Sequence, residues 1–339
     1  MPNLGLIVEP STTPAACRCA DRALMALALE RGYGALRVSR VAGDVLALGR
    51  YHVTPAGAPD VVLARRLSGG RAAASGTGFV TVSLALPHRS ALVSDDPFAL
   101  APEQVLNRAL RGILGGLDAA GIAAVYPGRD VVTVARRMLA VVGFEVDGAG
   151  ATLIDAVLAM ERDQSVLPRL LDRADPGGVV GAAMLLPDDV TSVARELGRV
   201  PGFDEVVAWL RRGYESRLGV RFVAEAVPRA ENAGAEPGVR SRTLRPDLDR
   251  HGVIATMLGR FEAHCAVAAD GTLAEVVLAG DLLAPSVTIE RLERAFRGCP
   301  PVVERLQEVI DEVVRPPHDF ILGVGPLRTV AETIVRAVG

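Results

Sequence analysis

The chain is most informative at Arg65-Arg66-Leu67-Ser68-Gly69-Gly70-Arg71-Ala72, which leads into the alternating segment Phe79-Val80-Thr81-Val82-Ser83-Leu84. The two adjacent glycines predict a turn, because glycine adopts backbone angles that other residues avoid. The N–H groups of such a turn can face an anion, and a neighbouring guanidinium group can grip the same anion through two N–H bonds. The sequence therefore predicts an anion-binding turn that is followed by a strand.

This motif resembles the Arg-Arg-x-Ser/Thr-Gly-Gly signature of the lipoate–protein ligase and octanoyltransferase family, within the biotin/lipoate protein ligase superfamily. The family attaches a fatty-acid-derived cofactor to a lysine of another protein. The resemblance implies an α/β (α+β) fold, with a mixed, mostly antiparallel sheet flanked by helices and a small α/β accessory domain. It also implies a set of residues that bind the acyl adenylate, namely Arg65, Arg66, Ser68, Gly69, Gly70, Arg71 and Gly78.

The composition fits a two-domain globular protein. Of 339 residues, 50% are hydrophobic and 23% are charged, so the chain can build sizeable hydrophobic cores. A chain of this length usually folds around more than one core. A net charge of −3 gives no basic field for nucleic acid and no polybasic membrane patch. We expect no membrane span, since no apolar stretch is long enough, and no signal peptide, since the N-terminal residues lack its basic region. Four cysteines do not form a disulfide framework, which favours a reducing cytoplasm.

The chain contains no lysine, so all 37 residues counted as Lys or Arg are arginines. A GC-rich genome that favours arginine codons is one explanation. Without lysine, the protein cannot use a lysine Schiff base, a phosphate-loop lysine or a lysine general base. The protein also cannot carry a lipoyl group on a lysine of its own, so any acceptor must be a separate protein.

Periodicity and turn signals divide the chain into a longer N-terminal part and a shorter C-terminal part. Helices are predicted at 15–30, from Pro102 towards Gly121, at 203–214 and at 288–298. Strands are predicted at 35–39, 44–49, 61–64, 79–84, 130–134, 139–146, 151–158, 260–267 and 273–278. A polar, turn-rich stretch separates these two parts. The predicted organisation is a catalytic domain at 1–225, a linker at 226–250 and an accessory domain at 251–339.

A second motif resembles the family's Asn-Asp, short strand and lysine. Its counterpart is Gly128-Arg129-Asp130, then residues 131–134, then Ala135-Arg136-Arg137-Met138. In the family, the lysine sits between the acyl carbonyl and the α-phosphate. The resemblance implies that Arg137 takes this place and holds phosphate oxygens, although an arginine cannot lose a proton. An exposed hairpin carrying two arginines is the alternative.

Other positions depart from the family pattern. The family continues its glycine-rich run with a small or apolar residue, His-Asp and Gly-Asn, whereas this chain reads Ala74-Ser75-Gly76-Thr77-Gly78-Phe79, and only Gly78 fits. Arg129 replaces an asparagine, and Arg71 replaces a third glycine, as in many octanoyltransferases. Asp130 does match. Its carboxylate could hold Mg²⁺ or orient Arg137, and a plain salt bridge accounts for it equally well.

Cysteine and histidine do not indicate a clear alternative site. An octanoyltransferase needs a cysteine thioester, and the chain has no cysteine between Cys19 and Cys265. Cys17 and Cys19 would lie on different faces of a helix. Of the histidines, His52 could line an acyl slot. The others show no metal-ligand spacing, namely His88, His251, His264 and His318.

The resemblance therefore implies a lipoate–protein ligase-like enzyme with Arg137 and Asp130 as catalytic residues, and the composition favours the cytoplasm. It would use ATP and Mg²⁺ to activate lipoate or octanoate and would transfer the acyl group to a lysine of a lipoyl-acceptor domain. Two alternatives stay open. One is a catalytically weak or inactive relative that binds lipoyl groups or lipoylated partners, and the other is an acyl-carrier-dependent octanoyl or lipoyl transferase. Neither nucleic acid nor a membrane is an expected partner.

Overall fold

The structure is a computed structural model that describes residues 2–54, 61–174, 187–226 and 248–339. The strands in these ranges are β1 (Asn3–Thr12), β2 (Gly34–Val41), β3 (Asp44–Leu48), β4 (Val62–Arg65), β5 (Ala73–Gly76), β6 (Phe79–Leu86), β7 (Ala124–Val125), β8 (Val131–Val134), β9 (Arg137–Val146), β10 (Thr152–Ala159), β11 (Arg221–Ala224), β12 (Arg250–Ala255), β13 (Arg260–Val267) and β14 (Leu273–Gly280). The helices are α1 (Pro14–Arg31), α2 (Pro102–Ala119), α3 (Leu167–Ala174), α4 (Val193–Leu197), α5 (Phe203–Leu218), α6 (Ser286–Ala295), α7 (Val303–Val313) and α8 (Arg328–Val338).

The largest sheet has the strand order β11-β1-β2-β6-β10-β9-β8-β7. Both neighbours of β1 run parallel to it, and every other neighbouring pair in this sheet is antiparallel. The predicted mixed, mostly antiparallel sheet flanked by helices is therefore confirmed. None of the helices in the described ranges is long and apolar enough to cross a membrane.

Alternation along β6 separates the two faces of this sheet. Val80, Val82 and Leu84 point into a core that α2 and α5 cover. Thr81 and Ser83 point to the other face, which α1 covers together with a second sheet of order β4-β3-β5. Small polar side chains on this second face leave space beneath α1, and the candidate site lies there.

Residues 248–339, here called the C-terminal segment, form a sheet and a core of their own. Strands β12-β13-β14 pair antiparallel in that order, and α6, α7 and α8 complete the core. The ring of Phe320 lies 5.6 Å from that of Phe144 on β9, so the segment packs directly on the large sheet. The domain division at 1–225, 226–250 and 251–339 stays a prediction, since most of the predicted linker lies outside the described residues.

The predicted helices and strands are all present, with small differences at their ends. The sequence patterns do not anticipate β1, in which Gly5 and Pro10 weaken the strand signal, nor the short edge strands β7 and β11. They also miss β5, β12, α3, α7 and α8. The unpredicted β1 matters most, because it adds the parallel part of the sheet.

Helices α2 and α5 cross at closely packed glycines. A Cβ atom on Gly213 would lie 2.1 Å from the carbonyl oxygen of Gly112 and 2.2 Å from the nitrogen of Gly116. Both neighbours are backbone atoms that cannot turn away. A side chain at this position would therefore force the two helices apart.

We expect Gly213→Ala to lower the free energy of unfolding by about 1–3 kcal/mol, because overpacking outweighs the roughly 1 kcal/mol that alanine gains within a helix. Gly148→Ala is the matched control, since its Cβ would meet only Val287 Cγ1 at an ordinary 3.5 Å. Urea denaturation of both variants measures the difference. Equal stabilities would contradict the close crossing.

Candidate functional site

Arg65 holds the loop that follows β3. Its Nη1 atom donates to the carbonyl oxygens of Gly49 (3.1 Å), Arg50 (3.1 Å) and His52 (2.6 Å), and its Nη2 atom donates to Thr54 Oγ1 (2.6 Å). Both terminal nitrogens of the guanidinium are thus bonded within the protein. In this structure Arg65 shapes the loop beside the arginine–glycine turn (residues 65–71) and does not present its fork to a ligand.

Arg66, Ser68 and Asp155 form a buried polar cluster. Ser68 Oγ donates to Asp155 Oδ1 at 2.6 Å, and Arg66 Nη1 donates to the same oxygen at 3.2 Å. Arg66 Nη2 donates to the carbonyl oxygen of Arg71 at 2.5 Å. Arg66 Nε is buried without a hydrogen-bond partner among the described residues. Because an unpartnered buried donor is costly, such a group often marks the position of a ligand or water.

Strand β9 passes directly beneath this cluster at Gly143. A Cβ atom there would lie 2.1 Å from Ser68 Oγ and 2.2 Å from Asp155 Oδ1. Only a residue without a side chain fits, so Gly143 belongs to the architecture of the cluster. The sequence alone does not single out Gly143, because a glycine inside a strand carries no sign of its spatial neighbours.

The two glycines of the turn are bonded within the protein. The Gly69 N–H donates to the carbonyl oxygen of Phe144 at 2.9 Å, and the Gly70 N–H donates to that of Leu282 at 2.7 Å. Gly70 has a φ of +92°, which explains the need for glycine. The expectation that these N–H groups face an anion is not met in this structure, because they tie the turn to β9 and to the C-terminal segment.

Asp130 pairs with Arg71, and not with Arg137. Arg71 Nε donates to Oδ2 at 2.8 Å and Nη2 to Oδ1 at 2.7 Å, while the Arg71 backbone N–H also reaches Oδ2 at 3.1 Å. Arg71 Nη2 further donates to the carbonyl oxygen of Leu258 at 2.7 Å. Of the roles considered for Asp130, the structure supports the salt bridge, which is formed with Arg71. A Mg²⁺ ion bound there would have to displace a bidentate arginine.

Arg137 lies at the turn between β8 and β9, at the end of this hairpin opposite to Asp130. It follows a turn in which Ala135 and Arg136 have φ values of 46° and 71°, and its Nη2 donates to Glu196 Oε1 at 2.8 Å. From Arg137 to Gly143 the strand extends roughly 20 Å. The structure does not bring Arg137 to the turn. Its catalytic role stays a prediction that this geometry does not support.

Gly78 is also separate from the cluster. It has a φ of +87°, and its carbonyl oxygen accepts from the N–H groups of Met160 and Glu161, both at 3.0 Å. A cleft of about 220 Å³ adjoins it where β10 ends, and Asp155 lies roughly 15 Å back along that strand. The buried charges converge elsewhere, so we place the candidate site at the smaller cavity described below.

A second buried charge cluster surrounds Arg37 on β2, whose side chain is 0% exposed. Its Nε contacts the Glu9 carboxylate, and its Nη1 donates to Cys17 Sγ at 3.2 Å and to Asp21 Oδ1 at 3.4 Å on α1. Its Nη2 has no partner among the described residues. Sequence reasoning missed Arg37, and the available signal was a charged residue inside an apolar strand.

The two clusters share one row of the sheet. Arg37 is the cross-strand partner of Ser83, and Ser83 is that of Asp155. Cross-strand partners lie on the same face, so the row runs beneath α1. Burial raises the pKa of Asp21 to about 6, and the negative charge of Asp155 acts in the same direction against the opposing charge of Arg37. Arg37 in this row thus lies beside the Asp21 carboxyl of α1, whose pKa is about 6.

A cavity lies between α1, the small sheet and this polar row. Its volume is about 40 Å³, and its lining includes Asp21, Arg66, Ser75, Thr81 and Asp155. That space holds about three water molecules and not an eight-carbon acyl chain. An acyl group could enter only if α1 and the small sheet moved apart.

Cys17 reaches the polar row through Arg37, and its thiol is protonated at neutral pH. Burial, together with the charge of Asp21, raises the pKa of Cys17 to about 11. Because the thiolate is the nucleophile, this thiol is poorly suited to the thioester chemistry of the transferase alternative.

The C-terminal segment packs on the loop that Arg65 holds. Tyr51 Oη donates to the carbonyl oxygen of Ala284 at 2.8 Å, and His52 Nε2 lies 3.0 Å from Asp281 Oδ1. His52 is buried in this contact and is absent from the lining of the cavity. Its role is to join the loop to the segment, and not to line the cavity beneath α1.

Glu145 is a buried carboxyl at the same interface. Its Oε1 accepts the backbone N–H of Ser286 at 3.1 Å, and Arg50 Nε lies 3.8 Å from its Oε2. Burial raises the pKa of Glu145 from 4.5 to about 7, against the opposing charge of Arg50. The sequence does not indicate the raised pKa of Glu145, because this carboxyl is buried by the packing of the C-terminal segment.

Several solved structures are similar to this chain. A bipartite lipoate protein ligase from Thermoplasma acidophilum is 20% identical over 68% of this chain and 89% of its own, with a TM-score of 0.54. Lipoate-protein ligase A bound with ATP is 18% identical over 68% of this chain and 91% of its own, with a TM-score of 0.52. LipL1 of P. falciparum in complex with lipoate is 12% identical over 98% of this chain and 99% of its own, with a TM-score of 0.69.

No protein-family model and no curated protein matches the chain. At these identities the structural similarities establish the fold. The chain therefore has the fold of the lipoate–protein ligases. The similarity to LipL1 extends this to the C-terminal segment, because it spans almost the whole of both chains. The resemblance inferred from the arginine–glycine turn is confirmed at the level of the fold.

The raised pKa of Glu145 predicts a pH-dependent stability. Between the unfolded pKa of 4.5 and the folded pKa of about 7, the folded state keeps a proton that the unfolded state releases. The retained proton stabilises the folded state. This stabilisation is fully present below pH 4.5 and is lost as the pH rises through about 7. Relative to Glu145→Gln, the wild-type protein should lose on the order of 2 kcal/mol of stability between about pH 5 and about pH 8.

Denaturant unfolding of both proteins at the two pH values measures this change. Asp21 titrates in both proteins, so its contribution cancels in the comparison. Parallel pH profiles for the wild type and Glu145→Gln would contradict the assignment to Glu145.

Proposed function

We propose that this chain is a lipoate–protein ligase-like protein that binds lipoate or octanoate with ATP, forms the acyl adenylate and passes the acyl group to a lysine of a separate acceptor domain. The observation that carries the proposal is the buried cluster of Arg66, Ser68 and Asp155, in which Arg66 and Ser68 belong to the ligase-like motif of a chain with the ligase fold. Related structures hold lipoate and ATP, and the Thermoplasma ligase is described together with its E2 lipoyl domain.

The chemistry explains why this cluster suits the reaction. The carboxylate attacks the α-phosphorus of ATP and pyrophosphate leaves, and an amine of the acceptor then displaces AMP from the acyl carbon. Both reactants of the first step are anions, so the site needs fixed positive charge that is oriented in advance. Arg66 provides it, with an Nε donor that has no partner in the described protein. Asp155 and Ser68 position the guanidinium from its other side.

The role of the metal follows from ATP. Mg²⁺ would bind through the phosphates of ATP, since it keeps several waters and few protein ligands. Asp130 is not proposed as a ligand for it, because both of its carboxylate oxygens accept hydrogen bonds from Arg71.

The first test measures acyl adenylate formed from ATP and lipoate or octanoate. We expect product from the wild-type protein and a loss of about 10²–10³ in kcat for Arg66→Gln, since a donor to the developing negative charge is removed. Arg199→Gln is the matched control, because Arg199 pairs with Glu205 on the surface at 2.5 Å and 2.9 Å. Absence of product from folded wild-type protein would refute the ligase activity. Equal losses in both variants would remove Arg66 from the mechanism.

The second test concerns Arg137, which the sequence placed in the position of the family lysine. Arg137→Lys restores a lysine at this position. We expect no gain in adenylate formation, because Arg137 pairs with Glu196 roughly 20 Å of strand away from Gly143. A loss of product in Arg137→Ala, with a gain in Arg137→Lys, would return this residue to the catalytic centre. Melting curves of both variants control for folding.

The second candidate function is binding of lipoyl groups without activation. It is supported by the N–H groups of Gly69 and Gly70, which donate within the protein and are not free to stabilise an adenylate. It predicts that isothermal titration calorimetry detects lipoate or a lipoylated domain while no acyl adenylate forms. Product formation at a rate well above background would exclude it.

The transferase alternative makes a separate prediction about cysteine. A pKa of about 11 keeps the Cys17 thiol protonated, so we expect no acyl adduct on any cysteine after incubation with an octanoylated carrier protein. Intact-protein mass spectrometry gives the answer. An adduct that disappears in Cys17→Ser would support the transferase over the ligase.

A further inference from the structure

Two histidines and a glutamate converge on the sheet of the C-terminal segment. His251 on β12 is the direct cross-strand partner of His264 on β13, and Glu262 precedes His264 by one alternation on the same strand. The three side chains therefore share a face. Gly252, the neighbour of His251, points at α8, where a Cβ would lie 2.3 Å from the Thr333 carbonyl oxygen. The three side chains lie on the face turned away from α8.

The distances in this cluster resemble those of a metal site. Glu262 Oε2 lies 3.4 Å from His251 Nε2 and 3.2 Å from His264 Nε2. All three potential ligand atoms lie within 4.8 Å of one another. Ligands about 2.0–2.1 Å from a tetrahedral Zn²⁺ are about 3.3 Å apart, so Glu262 already has the required spacing to both histidines. To complete the geometry, the side chain of His251 would have to move closer to His264, and His251 is the exposed residue of the three.

Burial and charge also fit a cation. Glu262 and His264 are 4% and 2% exposed, so a negative carboxylate is held inside the segment.

Arg260 completes the arrangement from the other side of the carboxylate. Its Nη2 lies 3.4 Å from Glu262 Oε1, whereas both histidines face Oε2. One oxygen is thus oriented by the arginine and the other remains for an ion, as outer partners orient metal-binding carboxylates elsewhere.

We propose that His251, Glu262 and His264 bind a divalent metal ion of the zinc class, with a fourth coordination position open to solvent beside His251. Imidazole with one carboxylate suits borderline ions such as Zn²⁺ better than Mg²⁺ or Ca²⁺, and His₂Glu with an open position is a known zinc donor set. The ion would join β12 to β13. It would also brace the loop of this hairpin, where the Leu258 carbonyl oxygen accepts from Arg71.

This site is independent of the proposed function, and its test does not use activity. Chelator-treated full-length protein is titrated with Zn²⁺ against a chromophoric chelator, and with Co²⁺ for its absorption spectrum. We expect one ion per chain, no competition from Mg²⁺ and no thiolate charge-transfer band. His251→Ala should weaken binding by at least about 10-fold, and Zn²⁺ should raise the Tm of the wild type but not of this variant.

His318→Ala is the matched control, because His318 packs edge-on against Phe98 at 4.3 Å and takes no part in the cluster. It should bind Zn²⁺ as the wild type does. Glu262→Gln provides a second test. If it does not fold, His251→Ala decides the question, because the side chain of His251 is 40% exposed and removing it leaves the core intact. Absence of Zn²⁺ binding, unchanged affinity in His251→Ala, or a thiolate band with Co²⁺ would each overturn the proposal.

Discussion

The buried carboxylate of Asp155 must be neutralised inside the sheet, and the candidate site is arranged around this requirement. An unpaired buried ion costs several kcal/mol, and here Arg66 and Ser68 supply the partners. The turn that carries them must therefore lie flat against β9, which explains the absence of a side chain at Gly143. In that position the turn also meets the C-terminal segment, where Gly70 donates to Leu282. One buried charge thus determines how the turn, the sheet and the segment fit together.

The absence of lysine gives the site a particular electrostatic character. Its buried cations are arginines, and each is matched to a carboxylate, as in the pairs Arg71–Asp130 and Arg66–Asp155. A guanidinium keeps its charge at any physiological pH, so none of these groups can accept or release a proton in catalysis. Groups that do titrate near neutrality are buried acids, such as Asp21 and Glu145, with pKa values of about 6 and about 7. The arginine charges of the site are therefore balanced within the protein, and the groups with pKa values near neutrality are carboxyls.

The fold was more predictable from the sequence than the site, for a physical reason. Strand alternation and helix periodicity are local, so the motif and the main elements could be recognised directly. The pairs that build the site are not local: Arg71 and Asp130 are 59 residues apart, and Arg66 and Asp155 are 89 apart. Sequence proximity even suggested that Asp130 orients Arg137, whereas the β8–β9 hairpin puts them at opposite ends. His264 likewise shows no ligand spacing in the chain, because its partner on β12 is set by strand register.

Two donors of the arginine–glycine turn take part in the packing of the C-terminal segment. The Gly70 N–H and Arg71 Nη2 donate to carbonyl oxygens of that segment, at Leu282 and Leu258. An anion can take these donors only in exchange for those oxygens, since a buried carbonyl left without a partner costs free energy. An anion that took these donors would therefore compete with docking of the segment for the same hydrogen bonds. By linkage, such a competition would act in both directions with equal free energy, so the segment would influence the affinity of the turn even though Arg66 and Asp155 lie outside it.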